Sequence, residues 1–107
     1  MRTERLTVSL DVFKERRAQK DYFLLDIREP WEVDIASLKE ATNIPLSELD
    51  QRVNELPQDR DIIVLCHHGI RSLQTAEWLN ELGYHASSLE GGIHMWAEKI
   101  DPTVAQY

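Results

Sequence analysis

The sequence has 107 residues, with 12 basic and 19 acidic side chains and a formal net charge of −7. We expect neither nucleic acids nor anionic membranes as partners of so acidic a chain. Its single cysteine, Cys66, excludes an internal disulfide, a CxxC redox pair and a zinc site of several cysteines. The N-terminus leads into no apolar run of signal-peptide length, so we predict a cytoplasmic protein.

Strand-like and helix-like segments alternate along the chain without repeats or linkers, which predicts one domain over residues 1–107 with an irregular tail from about 101. In the first half, the predicted elements are a weak strand over 6–9, a helix capped by Ser9 and running to 19, a buried strand over 22–27, a short helix over 30–35, a short strand over 42–44, and a helix capped by Ser47 with Leu49, Val53 and Leu56 on its inner face.

The run Ile62-Ile63-Val64-Leu65 is continuously apolar and β-branched, as in a strand that is buried on both faces. The elements predicted after it are a helix with Leu73, Ala76, Leu79 and Leu82 on one side and Gly83 at its end, a strand over 84–89, a turn at Gly91-Gly92, and a helix over 93–99. Such alternation predicts an α/β fold with a mostly parallel sheet and helices on both faces.

The segment Cys66-His67-His68-Gly69-Ile70-Arg71-Ser72 follows the central strand and precedes a helix. Ligands of parallel sheets bind beyond the carboxyl ends of the strands, where this segment lies. We therefore treat Cys66 as the candidate functional residue.

Three features of this segment favour a thiolate at Cys66 and a bound anion. Gly69 permits a backbone conformation that turns N–H groups inward, and the following helix adds the positive end of its dipole. Arg71 adds a permanent cation. A thiolate in such a cradle is suited to attack an electrophilic sulfur or phosphorus atom. The alternative is a cysteine that only fills the end of a core strand.

Four segments, spread over nearly the whole chain, resemble motifs of the rhodanese-like sulfurtransferases, and the single-domain rhodaneses in particular. The cysteine loop, with four residues between cysteine and arginine, is the first of them. The other three are Leu25-Asp26-Ile27-Arg28-Glu29-Pro30-Trp31-Glu32, similar to an Asp-x-Arg-x-x-x-Glu segment, Ala41-Thr42-Asn43-Ile44-Pro45, similar to Ala-x-Asn-Ile-Pro, and Gly91-Gly92-Ile93-His94-Met95-Trp96, similar to Gly-Gly-x-x-x-Trp.

This resemblance implies a five-stranded parallel sheet flanked by helices, and a ping-pong sulfur transfer without a cofactor. Cys66 would take the outer sulfur of a small anionic donor such as thiosulfate, and a persulfide would pass it to cyanide, a thiol or a protein. The residues around the donor would be His67, His68, Gly69, Ile70 and Arg71. With no second cysteine, an external acceptor must discharge the persulfide.

The chain departs from the family pattern after the early glutamate. The family usually carries Gly-His-Ile where this chain has Asp34-Ile35-Ala36, and Glu40 stands before Ala41 where glycine is usual. We expect a repacked loop there, with catalysis retained.

Several other residues could support the site. Asp26 and Arg28 end a neighbouring strand, and we expect them, with Ser72, to position the loop rather than to touch the donor.

One alternative for His67 and His68 is metal ligation together with Cys66, but adjacent residues rarely point at one ion in a tight loop and no further ligand is indicated, so we predict no metal there. A second alternative is a general acid or base for the acceptor, which a cradle that already holds a thiolate does not need. We expect the two rings to shape the rim.

Two other classes of function use a related loop or fold. Thiol phosphatases and arsenate reductases have one more residue between cysteine and arginine, and non-catalytic rhodanese-like modules have often lost the cysteine. We expect a monomer, with Trp31, Trp78 and Trp96 as packing residues.

Overall fold

Five strands form the central sheet, namely Thr7–Val8 (β1), Tyr22–Asp26 (β2), Thr42–Asn43 (β3), Asp61–Leu65 (β4) and Ala86–Leu89 (β5). The computed structural model describes residues 6–107, and within them the strand order is β1-β5-β4-β2-β3. Each ladder between neighbouring strands of this part of the chain is parallel. The predicted α/β fold with a five-stranded parallel sheet is confirmed.

Helices cover both faces of the sheet, as the continuous apolar run had indicated. The helices are Leu10–Gln19 (α1), Pro30–Ile35 (α2), Leu46–Arg52 (α3), Ile70–Glu81 (α4) and Gly92–Lys99 (α5), and a 3₁₀ turn covers Val53–Glu55. Ile62 and Val64 pack in one core with residues of α3 and α4. Ile63 and Leu65 pack in a second core with residues of α1 and α5.

Strand β4 occupies the middle of the sheet and is buried on both faces. Its four apolar residues are wholly buried, and complete burial of one such side chain contributes about 1.5–3 kcal/mol. The end of β4, and with it Cys66, therefore lies in the buried centre of the sheet.

Three local predictions are wrong. Ser47 does not cap α3, because the helix begins one residue earlier at Leu46 and Pro45 occupies the capping position without a side-chain cap. Leu82 is half exposed, because α4 ends at Glu81 and Leu82 lies in the turn toward Gly83. Trp31 is 61% exposed rather than packed in a core.

Other predictions agree with the structure to within a residue or two. Ser9 caps α1 through the amide of Val12 at 3.2 Å. Gly83 follows α4 with φ +99°, and Trp96 is buried. The strand predicted over 84–89 begins only at Ala86, because the preceding amide at position 84 bonds back to α4. No helix within residues 6–107 is long and apolar enough to cross a membrane.

Gly91 and Gly92 do more than turn the chain between β5 and α5. Both have positive φ, and the start of α5 lies directly against the loop that follows β4. A Cβ at position 92 would lie 2.6 Å from the carbonyl oxygen of Cys66 and would also meet that of His67. Only glycine fits at position 92, and this close approach lets the start of α5 pack against the backbone of Cys66 and His67.

We predict that Gly92→Ala destabilises the fold more than Gly83→Ala does. Both positions have positive φ, which costs about 1–2 kcal/mol for a residue with a Cβ. Only position 92 adds a clash with backbone, worth about 1–3 kcal/mol more, since a Cβ at Gly83 meets nothing within 4 Å. Urea denaturation of both variants measures the difference, and equal losses would show that the loop yields.

Candidate active site

Cys66 lies at the carboxyl end of β4, where the sequence analysis placed it. Its side chain is buried, with 1% exposure. The loop proper is shorter than the motif, because Ile70 and Arg71 already belong to the first turn of α4. Gly69 ends the loop with φ +93° and a Cβ there would meet the backbone of Gly91 at 3.0 Å.

Hydrogen-bond donors surround the sulfur of Cys66. The amide of Gly69 donates to Sγ at 3.1 Å, and the amide of Ser72, one turn into α4, donates at 3.3 Å. Ser72 Oγ lies 3.2 Å from Sγ. Backbone donors at a helix start favour a negative charge, so this cradle stabilises a thiolate.

A second serine extends the cradle into the sheet. Ser88, on β5, places its hydroxyl 2.5 Å from Ser72 Oγ, and its Oγ also lies 3.5 Å from the carbonyl oxygen of Gly69. Both serines are buried. The two hydroxyl groups beneath the sulfur, on Ser72 and Ser88, are therefore sealed from solvent.

An open pocket of about 280 Å³ lies over this cradle. Its lining consists of Cys66, His67, His68, Ile70 and Arg71. The structure therefore brings these predicted site residues together, with Gly69 beneath them as an amide donor to Sγ. A small anion in this pocket can reach the sulfur.

Arg71, the permanent cation of the loop, is paired with a carboxylate. Its two terminal nitrogens donate to the two carboxylate oxygens of Glu32, each at 3.0 Å. This bidentate hydrogen bonding raises the pKa of Arg71 and fixes the plane of the guanidinium. Two of its five N–H groups are used, so the others remain for an anion in the pocket.

Glu32 is buried and accepts two further hydrogen bonds. They come from the amide of Glu29 at 3.0 Å and the hydroxyl of Tyr107 at 2.9 Å. Burial alone would raise the pKa of Glu32, but its hydrogen bonds, those from Arg71 first, lower it to about 2. The carboxylate is therefore charged throughout the physiological range.

Asp26 and Arg28 form a buried ion pair behind the pocket. Arg28 is wholly buried and donates to both carboxylate oxygens of Asp26, at 2.9 Å from Nε and 2.7 Å from Nη2. It also donates to the Ala36 carbonyl at 2.7 Å and to the Tyr107 hydroxyl at 2.9 Å. Neither residue lines the pocket over Cys66.

The tail has no helix or strand, as predicted, yet it returns to the site. The Tyr107 ring stacks on the His67 ring, with centroids 3.8 Å apart and planes 7° apart. The Trp31 ring packs against the Tyr107 ring in a T-shaped arrangement, with centroids 6.1 Å apart. The exposed Trp31 thus belongs to an aromatic row along the rim of the site.

The predicted histidine pair acquires a third member. His94, on α5, lies against His67 and His68, with ring centroids 5.9 and 5.0 Å from theirs. Burial and the neighbouring His68 lower the pKa of His67. If any group in residues 6–107 holds a metal ion, these three side chains have the ligand atoms for it.

Sequence reasoning missed three residues of the site. Glu32 stood in the Asp-x-Arg-x-x-x-Glu motif, and its place in that motif was the usable signal. His94 follows the Gly91-Gly92 turn, and no sequence spacing connects it to His67 and His68. Tyr107 carried no signal, because nothing in an irregular tail indicates where it folds back.

The chain belongs to the family of rhodanese-like domains. The sequence model of the rhodanese-like domain matches residues 9–99, which include every strand from β2 onward and the whole cysteine loop. The resemblance inferred from four motifs is therefore confirmed.

Relatives of similar length carry sulfurtransferase names. A sulfurtransferase of Allochromatium vinosum is 37% identical over 87 residues, covering 80% of this chain and 81% of that protein. The putative sulfurtransferase YtwF of Bacillus subtilis is 27% identical over 96 residues, covering 89% and 93%. The family and these names support sulfur transfer as the general activity.

Solved structures agree with the fold. A rhodanese-related protein from Thermoplasma volcanium superposes with a TM-score of 0.84 at 36% identity, covering 94% of this chain and 98% of that one. The human single-domain sulfurtransferase TSTD1 superposes with a TM-score of 0.77 at 28% identity, covering 88% and 96%.

We predict that Glu32 makes stability depend on pH between about 4.5 and 2. Its pKa is lower in the fold than the ordinary 4.5, so the unfolded chain binds a proton first as the pH falls. The charged Glu32 side chain contributes about 3 kcal/mol to the free energy of unfolding; this contribution is complete above pH 4.5 and is lost as the pH falls toward 2.

Urea denaturation of the parent chain and of Glu32→Gln at a series of pH values tests this prediction. The difference between their unfolding free energies should shrink as the pH falls below 4.5, because the glutamate of the unfolded chain then takes up a proton that the folded carboxylate binds only near pH 2. A difference that stays constant down to the acid limit would contradict the assigned ion pair.

Proposed function

We propose that the chain transfers a sulfane sulfur from a small anionic donor such as thiosulfate to a nucleophilic acceptor, through a persulfide on Cys66. The observation that carries this proposal is the position of Sγ, held by two backbone amides and a hydroxyl beneath an open pocket. A sulfur so placed is ready to act as a thiolate nucleophile.

In the first half-reaction, the Cys66 thiolate attacks the outer sulfur of thiosulfate. The new bond joins Sγ to that sulfur, and the sulfur–sulfur bond of the donor breaks. Sulfite leaves with the electron pair, so the step needs no outside oxidant or reductant. Arg71, with N–H groups beyond those bound to Glu32, is placed to hold the sulfonate oxygens.

In the second half-reaction, an external nucleophile attacks the outer sulfur of the persulfide. Cyanide, a thiol or another protein can fill this role, and the Cys66 thiolate leaves with the bonding electrons. The chain has no other cysteine that could act instead. The cradle amides then stabilise the same anion that began the cycle.

One experiment distinguishes sulfur transfer from two other functions. A thiol phosphatase or arsenate reductase would use the same nucleophile on an oxyanion, but the loop here has the shorter interval of four residues before Arg71. A non-catalytic module would not need a buried thiolate cradle.

Intact mass of the purified chain after incubation with thiosulfate tests the first half-reaction. We expect the gain of one sulfur atom, its removal by cyanide, and no gain in Cys66→Ser, which changes one atom in an otherwise intact cradle. Turnover of an aryl phosphate without any sulfur adduct would overturn the proposal in favour of a phosphatase. Silence in both assays would leave a binding module.

We predict that Arg71→Ala lowers the second-order rate constant for thiosulfate by about 10- to 100-fold. A decrease of this size corresponds to the loss of one charge-assisted hydrogen bond, which contributes about 1.5–3 kcal/mol. Discharge of the preformed persulfide by cyanide should change less, because sulfite has already left. Stopped-flow or single-turnover mass measurements separate the two steps.

The control must account for the carboxylate that Arg71 leaves behind. The double variant Arg71→Ala/Glu32→Gln removes that charge, so a slow donor step in both variants assigns the loss to the missing cation. Arg52→Ala, which removes an exposed arginine of α3, should leave the rate unchanged. An unchanged rate in Arg71→Ala would show that the backbone cradle suffices.

A further inference from the structure

Three of the four histidines of the chain meet beside the cysteine loop. One ligand nitrogen of each of His67, His68 and His94 lies within 4.8 Å of the other two. The amide of Ile93 donates to the Cys66 carbonyl at 2.9 Å, and that of His94 donates to the His67 carbonyl at 3.0 Å. The histidine cluster is therefore built by backbone hydrogen bonds between the loop and α5.

Two nitrogens of this cluster, His67 Nε2 and His94 Nδ1, are buried and have no hydrogen-bond partner. Within residues 6–107, the indole nitrogen of Trp96 is the one other buried side-chain nitrogen or oxygen in that state. A buried polar atom without a partner costs about 1–3 kcal/mol, so two such atoms in one cluster call for a ligand.

A carboxylate stands behind the cluster. Glu98, one turn further along α5, has an oxygen 3.7 Å from His94 Nε2, the nitrogen that faces away from the unpartnered Nδ1. In metal sites, a carboxylate at the outer nitrogen orients the ring and makes the inner nitrogen a stronger ligand.

We propose that His67, His68 and His94 bind a divalent transition-metal ion, with zinc as the representative, and leave one coordination position open. Three neutral imidazoles suit zinc, whereas magnesium and calcium require oxygen ligands. Ligand nitrogens around tetrahedral zinc lie about 3.4 Å apart, so the present span within 4.8 Å closes with small side-chain rotations.

The side chains permit this closure. His68 is exposed and can turn toward the other two rings, while His67 is held against the face of Tyr107. The sequence analysis predicted no metal here because the adjacent pair had no further ligand, and His94 supplies one.

A bound ion would obstruct the pocket over Cys66, because His67 and His68 line that pocket as well. Zinc would then inhibit the donor step, and a chelator would restore it. This consequence rests on the proposed function, whereas metal binding itself does not.

The test measures binding without turnover, in the Cys66→Ser background, so that a thiolate cannot be the ligand. The chain, free of any histidine tag, is titrated with Zn²⁺ by calorimetry, and Co²⁺ is added separately as a spectroscopic probe. We expect one Zn²⁺ per chain and the intense visible absorption of tetrahedral Co²⁺.

Variants then assign the ligands. His94→Ala should weaken Zn²⁺ binding by more than about 10-fold, and Glu98→Gln by about 10-fold, in line with supporting carboxylates of known sites. His85→Ala removes the one histidine outside the cluster and should leave the affinity unchanged. His68→Ala covers the case in which His94→Ala fails to fold, because His68 is exposed.

Three results would overturn the proposal. The first is that the Cys66→Ser chain gives neither a heat of Zn²⁺ binding nor a tetrahedral Co²⁺ spectrum. The second is that His94→Ala and His68→Ala both bind Zn²⁺ as tightly as the parent. The third is that His85→Ala loses as much Zn²⁺ affinity as the cluster variants do. None of these outcomes bears on persulfide formation, which the mass measurement tests separately.

Discussion

The Arg28 guanidinium is wholly buried, and the site is arranged around the need to satisfy it. A buried cation without partners would cost several kcal/mol, so its N–H groups must all find acceptors. Asp26 neutralises it from β2, and the backbone carbonyls of Glu32 and Ala36 and the hydroxyl of Tyr107 accept the rest. Because Tyr107 also donates to Glu32, which holds Arg71, one buried charge links the sheet, the tail and the rim of the pocket.

The fold could be predicted from patterns that act locally. The continuously apolar run from Ile62 to Leu65 indicated a central parallel strand, and Ser9 and Gly83 marked helix ends by their capping chemistry. The errors arose where the outcome depends on the exact start of a helix or on a residue that is distant in sequence. Pro45 occupies the capping position of α3 two residues before Ser47, and Trp31 packs against Tyr107 at the surface instead of in a core.

The site could be predicted only as far as the sequence is contiguous. The loop from Cys66 to Ser72 is one segment, so its cradle followed from glycine, a helix start and the end of a strand. Glu32, His94 and Tyr107 reach the site from other elements, and no spacing connects them to the loop. The close approach of Gly92 to the loop backbone, which brings His94 to its place, is likewise a contact that only the folded chain reveals.

The serine pair beneath the sulfur has a consequence for how the loop can remain rigid. A thiol at Cys66 donates to Ser72, which then donates to Ser88, and the last hydroxyl faces the Gly69 carbonyl. A thiolate instead accepts from Ser72, which can accept from Ser88. These two links reverse with the heavy atoms in the same positions because a hydroxyl both donates and accepts, while the Gly69 carbonyl, which only accepts, gives up the Ser88 contact. Rotation of two O–H bonds therefore reverses the polarity beneath the sulfur, and the backbone need not move when the charge on Cys66 changes.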